Sequence, residues 1–316
     1  MNYLDLIPAD DFIWNQAEFT QFLIDCQHQP IKLNTHSEGV CLESSGVYHL
    51  LEQFGYKDVT IITNNLLEQH AQYKITLNTP FRFFEIEHGN YSDLHHWNQK
   101  KIFGCFYNRP VWHRLALAAN LQYDYNDISL INMRSPFLTD DERSLAEIQK
   151  LFQNHLDSFL KFSNVFESWP LLLEAQDGYT VGATTTDHTD QLAKFYKNIF
   201  IDVVAETWTS GNTFFPTEKT VRPMLLKKPM IVMGPKDYLC YLRQMGFRTF
   251  NDFWSEDYDG FADKTRLEKI LELLNALSKK SVAELNQMYW DMQYTLDYNF
   301  NLLVTQQYKT EITCVE

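Results

Sequence analysis

No run of 18 or more apolar residues occurs along this chain, so no membrane-spanning helix is expected. The opening Met1-Asn-Tyr-Leu-Asp-Leu-Ile-Pro8 lacks the basic start and long apolar core of a signal peptide. Cysteine is scarce: five residues, at positions 26, 41, 105, 240 and 314, an odd number with no paired metal-ligand spacing. That pattern suits reduced thiols in a cytosol, and a cytoplasmic protein is expected. There is no Gly-x-Ser-x-Gly, no phosphate-binding loop and no Gly-x-Gly-x-x-Gly. A nucleophilic triad is therefore unsupported, as is a glycine-rich phosphate loop. Positive charge is short as well. Lys and Arg number 27 against 41 Asp and Glu, for a net charge of −14, and residues 1–100 alone carry −8. Gripping a nucleic acid backbone normally takes a basic face, so the acidic first hundred residues argue against a long polyanion there.

What is present is ample core material. Hydrophobic residues make up 45% of the 316, aromatics 15%, which excludes a disordered chain. The length favours two domains. Residues 18–26 and 45–54 read as helices, and residues 30–34 and the β-branched run Val59-Thr-Ile-Ile-Thr63 as strands. Strand–helix–strand order at this spacing implies a parallel sheet. The theme repeats: strand Ile102–Phe106, helix His113–Leu121, strand 127–131, helix 190–198, strand Phe200–Val204. Thr139-Asp-Asp-Glu142 is a capping box opening a helix with an apolar stripe through Leu145, Ile148, Phe152, Leu156 and Phe159. Ser281-Val-Ala-Glu284 caps a final long helix reaching Leu303.

The most informative stretch runs Phe214-Phe-Pro-Thr-Glu-Lys-Thr-Val-Arg-Pro-Met-Leu-Leu-Lys-Lys-Pro-Met-Ile-Val-Met-Gly234, read as loop, helix, turn, buried strand and loop. A helix N-terminus offers unpaired N–H groups and partial positive charge to phosphates. Lys219 and Arg222 add full charges, and Glu218 can accept from ribose hydroxyls. The plain alternative is an amphipathic helix with solvated charges.

Thr217-Glu218-Lys219, with the aromatic pair before it and the apolar strand ending at Gly234, resembles the nucleotide-sugar signature of the α1,3-fucosyltransferase family. Upstream, Phe200-Ile-Asp-Val-Val-Ala-Glu-Thr207 resembles the strand and acidic residue before that signature, which puts Glu206 at the acidic position. Lys101-Ile-Phe-Gly-Cys-Phe-Tyr-Asn-Arg-Pro-Val-Trp-His-Arg-Leu-Ala-Leu117 resembles the strand, turn and helix that open the donor domain, with Arg114 at the phosphate-binding arginine. The similarity covers about residues 101–250, and the continuation from Tyr241 to Asp259 is closer to glycosyltransferase-like proteins of phages and bacteria. The resemblance implies a glycosyltransferase B architecture: two Rossmann-like α/β domains facing a cleft, with C-terminal helices. Residues 1–100 would form the acceptor side, 101–280 the donor domain, and 281–316 a helix that can return to the first domain.

On this reading Arg109, Arg114, Glu206, Thr217, Glu218, Lys219 and Arg222 bind the donor, and the cations stabilise the departing nucleoside diphosphate without a metal. Surface ion pairing is the alternative for Arg109 and Arg114. The general base is expected in the first domain, at Glu38 in the loop after a strand, with His36 and Glu43 as alternates. A solvated loop carboxylate is the plain reading of Glu38. Residues 85–97 are rich in ligand-type side chains but match no zinc spacing, and a polar loop explains them better. Glu256-Asp-Tyr-Asp259 suits a cation, a sugar, or an acidic cap before the helix near Lys264. No cofactor is expected beyond a nucleotide-sugar co-substrate. The leading acceptor is a glycan; hydroxymethylated pyrimidine in phage DNA is the second. A non-catalytic nucleotide- or carbohydrate-binding protein is the rival from another class.

Overall fold

The structure, a computed structural model, describes residues 2–6, 15–35, 39–77, 95–134, 145–152, 155–173 and 188–313. Two separate four-stranded parallel sheets organise them. The first unit comprises β1 (Asn2–Asp5), α1 (Gln16–Cys26), β2 (Ile31–Asn34), α2 (Val47–Gln53), β3 (Val59–Thr63) and β4 (Lys74–Leu77), with strand order β1-β2-β3-β4. Its register aligns Leu4, Leu33, Ile61 and Ile75 across the sheet. Asn15 starts α1 by accepting from the Glu18 N–H at 3.2 Å, the expected N-cap chemistry. Strands β1 and β4 escape sequence reading, since each has four residues and β4 is largely exposed, which leaves little apolar pattern.

The second unit contains β5 (Lys101–Phe106), α3 (Trp112–Tyr125), β6 (Ser129–Asn132), α4 (Leu145–Leu151), α5 (Leu156–Val165), α6 (His188–Tyr196), β7 (Ile199–Ala205), α7 (Glu218–Leu225), β8 (Met230–Met233), α8 (Tyr238–Gln244), α9 (Asp263–Ser278), α10 (Val282–Asp291) and α11 (Gln293–Val304). Its strand order is β6-β5-β7-β8. Every residue of β7 and β8 is buried, as in parallel sheets covered on both faces.

Two helices differ from expectation. The stripe from Leu145 to Phe159 belongs to α4 and α5 rather than to one helix, and Leu156 at the second helix's start is 52% exposed. The Thr139–Glu142 capping box lies outside the described residues. The C-terminal helix breaks at Met292 into α10 and α11, although the Ser281–Glu284 capping box forms as read. Helix α11 packs on α7, and Asn299 exchanges 2.8 Å hydrogen bonds with the backbone of Arg248. Among the described residues no helix is long and apolar enough to cross a membrane.

The two units interlock. Trp208, just beyond β7, packs on the first unit's core, while Leu66 and Leu67 join the second unit's core. Asn65, after β3, accepts from the Phe214 N–H at 2.9 Å and donates to the Asn212 carbonyl at 3.0 Å. The Leu66 N–H donates to the Phe214 carbonyl at 3.0 Å, and the Thr213 hydroxyl donates to the Gly39 carbonyl. Gly39 has no room for a side chain, because an added Cβ would lie 2.1 Å from Phe215. The strap 212–215 is thus sewn to the C-terminal ends of the first unit's strands.

Candidate functional site at the β5–β7 switch point

In the second sheet β5 leads through α3 to β6 on one side, and β7 leads through α7 to β8 on the other. Strand order therefore reverses between β5 and β7, and open α/β sheets bind ligands beyond the strand C-termini at such a point. Glu206 follows β7 there and is 1% exposed. Its carboxylate accepts four hydrogen bonds: from the Thr217 N–H (3.2 Å), the Thr217 hydroxyl (2.6 Å), the Thr220 hydroxyl (2.5 Å) and the Tyr238 hydroxyl (2.8 Å). Three of these bonds converge on Oε1 and one on Oε2, so the carboxylate holds the start of α7. Gly234 lets Tyr238 reach it, since a Cβ there would lie 2.8 Å from the Tyr238 ring.

Thr217 is the N-cap of α7, and its hydroxyl oxygen accepts from the Lys219 N–H at 3.2 Å. Lys219 Nζ reaches Glu218 at 2.5 Å and Thr217 Oγ1 at 3.3 Å. Burial works to raise Glu218, but Lys219 and Arg222 outweigh it and hold the carboxyl at about 2. Burial pushes Lys219 down, with Glu218 opposing. The lysine is 13% exposed and the glutamate 40%, so this pair forms the accessible part of the signature.

The two arginines have different surroundings. Arg114, buried in the first turn of α3, donates from Nε to the Ala205 carbonyl (3.3 Å) and from an Nη to the Glu206 carbonyl (3.1 Å). The charges of Glu218 and Glu206 act on it. Arg222 is buried too, and donates to the Phe106 carbonyl at 3.4 Å, where Tyr196, Glu218 and Asp202 act on it. Arg109 is exposed in the turn between β5 and α3. His36 and Glu38 lie outside the described residues; Glu43 is exposed in the turn after Leu42.

Several residues of the site were not singled out in the sequence. His113, beside Arg114, hydrogen-bonds the Glu206 carbonyl through Nε2 at 2.9 Å. Thr220 and Tyr238 complete the Glu206 cluster. Arg266 of α9 is fully buried and fastens the loops after β7 and β8 by donating to the carbonyls of Thr209 (3.1 Å), Gly234 and Phe261. Behind the site, Tyr196 donates to Asp202 at 2.5 Å, and burial pushes Asp202 up to about 7 against Arg222 and that hydrogen bond.

The acidic stretch 256–259 has an internal role. Asp259 accepts from the N–H groups of Leu239 (2.9 Å) and Cys240 (3.2 Å), so it caps α8, not α9. Glu256 accepts from the Phe250 N–H at 2.7 Å and pairs with Arg243 at 3.1 Å. Of residues 85–97, positions 85–94 lie outside the described residues, and the His95 and His96 carbonyls accept from Lys228. Among the described residues no group of three or more His, Cys, Asp or Glu is placed to hold a metal ion. Comparison of the chain with protein-family models, with curated proteins and with solved structures found no match in any of the three.

Proposed function

We propose that this chain is a glycosyltransferase of the glycosyltransferase B kind, moving a sugar from a nucleotide-sugar to a glycan hydroxyl. The observation that carries the reading is the convergence of Arg114 and Lys219, from helices on either side of the β5–β7 switch point, at the capped N-terminus of α7. Fixed positive charge at a helix start suits a diphosphate, and it stabilises the charge that develops as the diphosphate leaves. Glu218 beside Lys219 offers an acceptor to ribose hydroxyls. Glu206 acts through Thr217, Thr220 and Tyr238, and Arg222 through the end of β5; both position the cations without touching the ligand. The base is assigned from sequence position to Glu38 in the first unit, with His36 as its alternate. Attack by the deprotonated acceptor hydroxyl on the anomeric carbon breaks the bond to the diphosphate, which departs with the electron pair.

The test is a melting experiment with nucleoside diphosphates and nucleotide-sugars. A ligand that binds only the folded chain adds about 2.7 kcal/mol of stability at a hundred times its Kd. A panel in which none raises the melting temperature sinks the reading. Release of free sugar from the stabilising nucleotide-sugar, in the absence of acceptor, then separates an enzyme from a binder.

A further inference from the structure

His113 is 3% exposed and lies where the charges of Arg114, Lys219 and Arg266 all act on its ring. Its Nε2 faces the Glu206 carbonyl at 2.9 Å. A carbonyl oxygen only accepts, so Nε2 must carry the proton, and in a neutral ring Nδ1 is then a bare acceptor. The ring is neutral: burial, then the adjacent Arg114, push it down to about 3. Nδ1 is buried and has no hydrogen-bond partner in the protein. A buried acceptor left unpaired costs free energy unless a ligand or water supplies the donor. In the turn leading to the same helix, Asn108 Oδ1 is a second buried acceptor without a partner.

His113 Nδ1 is therefore a buried acceptor with no donor from the protein, in the field of a group of cations, and Asn108 Oδ1 is another buried acceptor in the turn before the same helix. Phosphate oxygens satisfy the cations but not the acceptors, because they too are acceptors at neutral pH. The donors nearest the phosphates of a nucleotide-sugar are the hydroxyls of the two flanking sugars, the ribose and the one transferred. We infer that His113 Nδ1 receives a hydroxyl hydrogen bond from the bound nucleotide-sugar, making His113 a residue that selects hydroxylated ligands over deoxy ones. The inference rests on the nucleotide-sugar reading of the site.

The test uses the full chain and calorimetric Kd values for ADP, GDP, UDP and CDP, their 2′-deoxy and 3′-deoxy counterparts, and inorganic pyrophosphate. Wild type should prefer the hydroxylated form of the nucleotide it binds by about tenfold or more over one deoxy form. His113→Gln keeps an N–H for the Glu206 carbonyl but has no acceptor at the Nδ1 position. It should lose that preference while pyrophosphate affinity stays unchanged. His113→Asn places an oxygen near the Nδ1 position and should retain the preference. If the free diphosphates show no preference, the same comparison on glucose esters and 2-deoxyglucose esters of the bound nucleotide assigns the hydroxyl to the transferred sugar. Equal affinity for hydroxylated and deoxy ligands in wild type, in both series, overturns the inference while leaving a diphosphate site intact. So does an equal loss for every ligand in His113→Gln, pyrophosphate included. Failure of wild type to bind any nucleoside diphosphate overturns the nucleotide-sugar reading itself.

Discussion

Arg114 and Arg222 hold each other's strands. Arg114 rides on the helix after β5 and grips the carbonyls at the end of β7; Arg222 rides on the helix after β7 and grips the carbonyl of Phe106 at the end of β5. The two strands are adjacent and parallel, so the crossed contacts fix the spacing of their C-termini at the point where strand order reverses.

Lys219 and Arg222 should therefore differ under mutation. Lys219→Ala should weaken nucleoside diphosphate binding about ten- to a hundredfold, since hydrogen bonds to charged groups are worth about 1.5–3 kcal/mol, with little change in melting temperature. Arg222→Ala should lower stability first, by leaving Asp202 buried without its cation. Calorimetry and urea unfolding on both variants check this; unchanged nucleotide affinity in Lys219→Ala rules out its assigned role.

Glu206 is the hub of a buried network, so its loss should be severe. Glu206→Ala leaves the Thr217 N–H and three hydroxyls without their acceptor and should cost about 3–5 kcal/mol, the scale for breaking a buried charged contact. Tyr238→Phe removes one of the four bonds and should cost about 1.5–3 kcal/mol. The double substitution should cost less than the sum, because both act on one network. A Tyr238→Phe variant as stable as wild type would show that the hydroxyl contributes nothing.

Asp202 predicts a pH effect of definite sign. Its folded-state value is raised from 3.8 to about 7, so the native state holds more protons than the unfolded chain in that window. Stability from this group therefore falls as pH rises from about 4 to 7. Asp202→Asn should flatten that part of the stability–pH curve while keeping the Tyr196 contact. A curve of unchanged slope counts against a raised Asp202.

Lys228 predicts the opposite sign at higher pH. It is 1% exposed, its Nζ meets the His96 carbonyl at 2.7 Å and the Tyr289 hydroxyl at 3.3 Å, and burial lowers it from 10.5 to about 7. The unfolded chain then holds more protons, so stability from this group rises between about pH 7 and 10.5. Lys228→Met should abolish the rise in unfolding measurements across that range.

Glu38→Gln is the test of the proposed base. Donor affinity should stay near wild type while kcat falls about a hundredfold or more, the scale of losing a general base. A fully active Glu38→Gln with an inactive His36→Ala moves the assignment to His36.

Much of the framework of both units could be read from local patterns. Val59–Thr63 and Phe200–Val204 are runs of branched and apolar residues, and Thr217 and Ser281 are caps whose chemistry acts within three residues. The switch-point network could not, because its members meet across long separations. Tyr238 lies 32 residues from Glu206, and Arg266 lies 57 from Thr209. The same limit explains Asp259, whose partner helix precedes it in the chain, while proximity suggested the helix that follows. His113 did sit inside a quoted motif, but its tautomer depends on a carbonyl 93 residues away.

The strap at Asn212–Phe214 acts as a short leash. Phe214 is bonded to Asn65 and Leu66 of the first unit, and three residues later Thr217 caps α7 and bonds to Glu206 of the second. A fully extended chain spans at most about 3.3–3.6 Å per residue, so this link can never let its two anchors stand more than roughly 10 Å apart. Hinge motion beyond that reach has to unfasten one end, either the grip on the first sheet or the turn that presents Lys219. The angle between the units and the shape of the anion-facing turn are therefore mechanically in series, and tension on one is felt by the other.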